Sequence, residues 1–150
     1  MYTPHAWGLT LLRVVLGVIF ILHGYYAFAV LGPARTADMI VRLGNPPGVG
    51  TPLAWYLILA HIVGGALLVI GLWTLFAALV QVPIMAAALF LLHAPQGFFM
   101  KATISADGRP TVAGFEFSLL VLAATLTIVL AGPGAPSVDF SRSRRHLSVP

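Results

Sequence analysis

WGLTLLRVVLGVIFILHGYYAFAVL, residues Trp7–Leu31, is the stretch whose reading decides the fold. At 1.5 Å per residue, a helix of roughly 25 residues crosses a hydrocarbon layer of about 30 Å with some tilt. Two ionisable side chains interrupt the run, Arg13 near its start and His23 past its middle. Neither is cheap among lipid tails, so later segments are expected to bring polar partners to their level. The run lacks the basic region and small-residue cleavage site of a secretory signal and is too long for one, so it reads as a retained transmembrane helix.

Composition extends that reading to the whole chain. Of 150 residues 59% are hydrophobic and 8% charged, with mean hydropathy +0.98. Soluble domains devote about a quarter of their residues to charge. An integral membrane protein of one domain, residues 1–150, is expected, because no stretch is polar enough to form a second unit. The net charge is +4 with a pI near 10.1, and much of the excess lies in Arg142, Arg144 and Arg145 of a basic tail, residues 132–150. On a membrane protein such a tail suits anionic headgroups and argues against nucleic acid. The chain has no cysteine, which excludes disulfides, thiolate ligands and thiol nucleophiles.

After the first span, Gly32 to Pro52 is polar. Pro33 opens a short interfacial helix in which Met39, Ile40 and Leu43 share a side while Arg35, Asp38 and Arg42 stay wet. The cluster Gly44, Asn45, Pro46, Pro47, Gly48 is expected to stop regular structure. The apolar run Leu53 to Leu92 is long enough for two spans, 53–72 and 74–92, joined at Gly71, Leu72, Trp73, Thr74 by a helical hairpin with almost no loop. Gly64 and Gly65 admit close backbone approach, Pro83 kinks the third span, and Gln81 beside it is expected to bond to a neighbouring backbone. Residues 93–113 read as a loop resting on the bilayer through Phe98 and Phe99, with a turn at Asp107, Gly108. A fourth span, 114–131, ends at Gly132, Pro133, Gly134. The expected fold is all-α, a four-transmembrane-helix bundle.

Four crossings place both termini and the Trp73 hairpin on one side and the two longer loops on the other. The tail arginines favour cytoplasmic termini and a multi-pass protein of the plasma (inner) membrane. Helix rise then sets His23 and His61 about 12 Å below the loop-side boundary and leaves His93 and Glu116 at the boundary, roughly 10 Å away along the axis. Glu116, Leu120, Ala123 and Thr127 share one stripe of the fourth span, with Thr127 continuing a polar line inward.

The order Arg13, Gly17, Phe20, His23, Gly24, then Gly64, Gly65, then His93 with Gly97, Phe98, Phe99, then Gly114, Phe115, Glu116, then Gly132, Pro133, Gly134 before Ser137, Val138, Asp139 resembles the DoxX family. The resemblance touches all four spans. It implies a small four-helix membrane protein linked to quinol oxidase and thiosulfate:quinone oxidoreductase complexes. Two departures stand out: His61 where members often carry Glu ahead of the paired glycines, and Tyr25, Tyr26, Ala27 where a Lys often follows the His-Gly pair. These favour neutral ligands over carboxylate-dependent proton or cation chemistry.

Two site chemistries follow from the residue types. His23, His61, His93 and Glu116 carry imidazole and carboxylate groups that suit zinc, iron or copper. His23, His61 and Tyr26, with Arg13 and the aromatics Trp55, Tyr56, Phe98, Phe99 and Phe115, suit a quinone, whose carbonyls accept hydrogen bonds. Against both stand interhelical hydrogen bonds for His23 and His61, an interfacial ion pair for His93 and Glu116, a snorkelling Arg13, and ordinary aromatic belts. No independent catalytic centre is identifiable. The expected role is an accessory subunit of a quinone-linked membrane redox complex, partnered by the bilayer and other subunits. The alternatives are an oxidoreductase component of the thiosulfate:quinone type, a metal-binding protein and a small-solute carrier.

Overall fold

The structure, a computed structural model, describes residues 3–104 and 110–139. Three helices are long and apolar enough to cross a membrane: α1 (Pro4–Leu31), α3 (Pro47–Ile70) and α4 (Thr74–Gln96). Between the first two lies the short α2 (Pro33–Arg42). After α4 the chain forms an antiparallel hairpin, β1 (Lys101–Ile104) with β2 (Pro110–Ala113), in which Lys101 faces Ala113 and Ile104 faces Pro110. After the hairpin comes α5 (Glu116–Ala131), 16 residues. At 1.5 Å per residue it is about 24 Å long, short of the roughly 30 Å hydrocarbon core, so it does not join the three long spans on length. The turn expected at Asp107, Gly108 and the arginines Arg109, Arg142, Arg144 and Arg145 lie outside the described residues.

Proline sets where the helices start. Pro4, Pro33 and Pro47 each stand in the first turn of a helix, where the missing N–H has no intrahelical acceptor to lose and the fixed φ suits the helix. This corrects two expected boundaries. The first span begins at Pro4, before Trp7. The Pro46, Pro47 pair does not hold the chain in a loop to Leu53 but launches α3 itself. The interfacial helix appears as expected: α2 buries Thr36, Ala37 and Ile40 and leaves Arg35, Asp38 and Arg42 exposed.

The hairpin between α3 and α4 forms where the glycine stop placed it. Gly71 adopts φ 75°, and its N–H returns to the Leu67 carbonyl at 2.8 Å, a left-handed helix end that glycine adopts without penalty. The α4 helix breaks at Val80 and Gln81 just ahead of Pro83, the kink that proline requires. Close approach between α1 and α3 depends on Gly17 and Gly65. A Cβ at Gly17 would lie 2.6 Å from the Gly65 carbonyl oxygen, and one at Gly65 2.8 Å from that of Gly17. The core then closes around Leu16, Phe20, Leu68, Ala77, Met85, Val121 and Ile128, drawn from α1, α3, α4 and α5.

Candidate functional site

All three long helices change pitch in the same half of the bundle. Wider π-helical turns replace α-helix over Tyr26–Leu31 in α1, Ala60–Gly64 in α3 and Ala88–His93 in α4. A π turn inserts one residue into the repeat and rotates the side chains beyond it, and such turns concentrate at functional sites. Tyr26, His61 and His93, one in each of these turns, line a single cavity of about 440 Å³. His23 lines it from the turn below Tyr26, Thr36 and Met39 reach it from α2, and Phe117 and Ser118 from α5. Met100, Val112 and Gly114, at the base of the β-hairpin, complete the loop-side rim.

The three histidines meet the cavity in different states of satisfaction. His23 is exposed, and its Nδ1 donates to the Ile19 carbonyl at 2.9 Å, because a carbonyl can only accept. That bond fixes the tautomer of the neutral ring and leaves Nε2 as an acceptor. His61 is 6% exposed and stacks obliquely on Phe20, ring centres 5.2 Å apart. It lies close enough to His23 for the two to interact electrostatically, and its ring reaches the Gln81 side chain in a hydrogen bond. Its Nδ1 is buried without a hydrogen-bond partner, as is Nδ1 of His93. Buried polar nitrogens are nearly always paired in folded proteins, so the two histidines that line this cavity each hold an unused hydrogen-bonding atom.

Gln81 is fully buried and donates from Nε2 to the Ala60 carbonyl at 2.6 Å. It satisfies the opening residue of the α3 π turn, which is the backbone bond expected of it. Thr36 ties α2 to the end of α1 through the Ala27 and Gly32 carbonyls, at 3.3 and 3.0 Å.

Several expected members of the site stand elsewhere. Arg13 does not snorkel and does not reach the cavity. It is 1% exposed at the opposite end of the bundle, where one terminal nitrogen, Nη2, donates to the Pro136 carbonyl at 2.9 Å and Asp139 acts on it electrostatically. A Cβ on Gly71 would collide with its guanidinium, so the glycine turn and the arginine share one compartment. Asp139 also accepts from the backbone N–H groups of Trp73 and Thr74 at 2.9 and 2.8 Å. It thereby caps the start of α4 and holds Trp73 at φ 49°, a left-handed geometry unfavourable for a bulky residue.

Glu116 forms no ion pair with His93 among the described hydrogen bonds. One carboxylate oxygen accepts from the Met100 N–H at 2.9 Å, and the Phe115 and Glu116 N–H groups donate to the Gly97 and Phe98 carbonyls at 3.0 and 3.1 Å. Glu116 thus fastens the hairpin to the start of α5. Among the described residues no group of three or more His, Asp or Glu gathers at metal-binding distances, so His23, His61, His93 and Glu116 do not form one coordination sphere. Thr127 points outward and bonds to the Ala123 carbonyl. The polar residues that α5 turns inward are Ser118 and Thr125. Glu116 suggested the wrong stripe because its carboxylate is drawn aside to the loop.

Sequence reasoning missed Thr36, Ser118 and the sulfur-bearing rim of Met39, Met85 and Met100. Thr36 and Ser118 carried one usable signal, hydroxyls near the ends of apolar helices at the level of His93. The π turns carried none, since nothing in the local residue types distinguishes them from α-helix.

Comparison with known proteins agrees with the residue order. The family model described as DoxX matches residues 8–94. A Haemophilus influenzae protein described as uncharacterized is 34% identical over 141 residues, 92% of this chain and 91% of its own length. No solved structure matches. The matched region takes in all of α3 and nearly all of α1 and α4, and with them His23, His61 and His93, and on that footing this integral membrane protein belongs to the DoxX family.

Proposed function

We propose that the chain is an accessory subunit of a quinone-linked membrane redox complex and that the histidine cavity receives the quinone head group. The observation that carries the reading is one largely apolar cavity lined by both His61 and His93, each of which keeps a buried ring nitrogen, Nδ1, without a hydrogen-bond partner. A neutral imidazole donates from one ring nitrogen and accepts at the other. The same two side chains therefore suit the carbonyl oxygens of an oxidised ring and the hydroxyls of a reduced one. The volume fits as well: at roughly 30 Å³ per water-sized group, the cavity holds on the order of fifteen, the scale of one substituted six-membered ring. A bound quinone would supply two-electron redox chemistry. The residues here bind and orient it, with Tyr26 and Ser118 as further hydroxyl partners.

The membrane arrangement is part of the same proposal. The chain is one domain, α5 crosses with the three longer helices as a fourth span, and the termini face the cytoplasm across the plasma membrane. Support comes from α5 packing into the common core. The segment after it also returns to α1, where the Ala135 N–H donates to the Ala6 carbonyl at 3.1 Å. Single cysteines at Asn45 and Thr111 are expected to label from one side of intact membranes and one at Trp73 from the other. A cysteine at Pro136, after α5, is expected to label from the Trp73 side, and its labelling from the Thr111 side refutes the fourth crossing.

The binding test uses a benzoquinone without a side chain, titrated into the purified protein in mild detergent. His61→Phe and His93→Phe are each expected to weaken binding by about tenfold, the scale of one hydrogen bond to an otherwise buried group. Unchanged affinity in both variants refutes the head-group reading. Isolation from native membranes with no redox subunit attached refutes the accessory role.

A further inference from the structure

Beside the histidine cavity lies a second, apolar one of about 220 Å³, lined by α2, α3 and α4. Its outer rim, Leu53, Tyr56 and Leu91, is exposed on the face that meets lipid. Its inner wall is shared: Met39, Leu57, Ile84, Ala88 and Leu92 line both cavities. The two spaces are therefore separated by the thickness of single side chains. The groove exists because α4 breaks ahead of Pro83 and then presents the small residues Ala87 and Ala88.

The chemistry of its wall restricts what can lie there. Two of its lining side chains have polar heads, and both are already engaged. Tyr56 Oη donates to the Val80 carbonyl at 2.6 Å, and Asn45 Nδ2 to the Ile40 carbonyl at 2.9 Å. A polar occupant would lose its own hydrogen bonds in the groove without replacement. An apolar chain loses none, and at roughly 30 Å³ per water-sized group the groove takes on the order of seven methylene-sized units.

We infer that the groove is the lateral entrance and tail compartment of the histidine cavity, receiving the apolar chain of the same ligand whose ring lies against His61 and His93. The inference rests on the head-group reading above and adds to it the ligand's second half and its route: a chain-bearing quinone drawn in sideways from the bilayer between α2 and α4. Head and tail then lie on either side of the shared wall. Ala87 belongs to the groove alone and is exposed, so enlarging it narrows the entrance without disturbing the core.

The test is photolabelling of the whole protein in lipid nanodiscs. The probe is a benzoquinone with a ten-carbon chain ending in a diazirine, and labelled peptides are mapped by mass spectrometry. Label is expected at Leu53, Ala87 or Leu91, displaced by the unlabelled decyl quinone. Ala87→Trp is expected to reduce groove labelling at least about fivefold and to slow entry of the chainless ring while its equilibrium affinity, set at the histidines, stays within about twofold. Leu130→Trp, on the exposed face of α5, is expected to change neither. Chainless-ring binding that persists while label falls mainly on α5, or is indifferent to Ala87→Trp, overturns the tail compartment alone. Labelling displaced equally by a ten-carbon fatty acid assigns the groove to ordinary lipid and also overturns it. Failure of the wild-type protein to bind the chainless ring removes the head-group reading, and this inference falls with it.

Discussion

Asp139 is predicted to hold the tail-side end of the bundle together through two separable effects, one as a cap and one as a counter-charge. Its carboxylate accepts from the Trp73 and Thr74 N–H groups at 2.9 and 2.8 Å and acts on the buried Arg13. Loss of a capping side chain costs about 0.5 to 2 kcal/mol. One of the two bonds here is exposed and the other partly buried, so the cap contributes roughly the middle of that range. Removing a charge that opposes a buried cation adds to this. The expected destabilisation is about 2 kcal/mol for Asp139→Ala and about half of that for Asp139→Asn, which keeps one acceptor oxygen. Arg13→Met separates the two effects, since it keeps most of the buried volume and removes the cation. In the Asp139→Ala background it is expected to recover about 1 kcal/mol relative to additivity, because an isolated buried charge is worse than none. The assay is equilibrium unfolding by SDS titration from mild-detergent micelles, followed by tryptophan fluorescence. An Asp139→Ala variant within about 0.5 kcal/mol of the native protein refutes the cap. Additive single and double variants refute the charge coupling.

Gly17→Ala is expected to cost about 1 to 3 kcal/mol in the same titration, since its Cβ would press on the Gly65 carbonyl and on Val69. Gly8→Ala, which meets nothing within 4 Å, is the control and is expected to be neutral or slightly stabilising. Gln81→Leu is expected to cost about 1 kcal/mol, the loss of the Ala60 bond. It should disturb quinone affinity less than His61→Phe. Glu116→Ala is expected to speed amide exchange at Met100 by about tenfold, the equivalent of one lost hydrogen bond, with Glu116→Gln close to native because an acceptor oxygen remains. Unchanged exchange in Glu116→Ala refutes its role as the hairpin's fastener.

The helices were legible because lipid imposes a simple rule: backbone polar groups must bond within the segment, so long apolar runs become helices. Trp7–Leu31 and Leu53–Leu92 announced three long helices, and Gly71 with Trp73 announced the turn between two of them. Pro33 and the alternation of Ile40 with Arg35, Asp38 and Arg42 announced the interfacial helix. Depth was legible too, since residue counts alone put His23 and His61 at one level. The β-hairpin was not, because Lys101–Ile104 and Pro110–Ala113 are short and lack the alternation that marks a half-buried strand.

What the sequence determined by itself is the solvent and the inventory: a chain for lipid, with three imidazoles in one half of its long helices and an arginine in the other. Only the tertiary structure decided how they are used. Tyr26, His61 and His93 each lie in a π turn and line one cavity, a convergence set by how the three helices pack. Arg13 and Asp139 are far apart in the chain, and their meeting at Gly71 depends on the segment just after α5 folding back across the bundle. Contacts between such distant segments are set by packing, which no local pattern encodes.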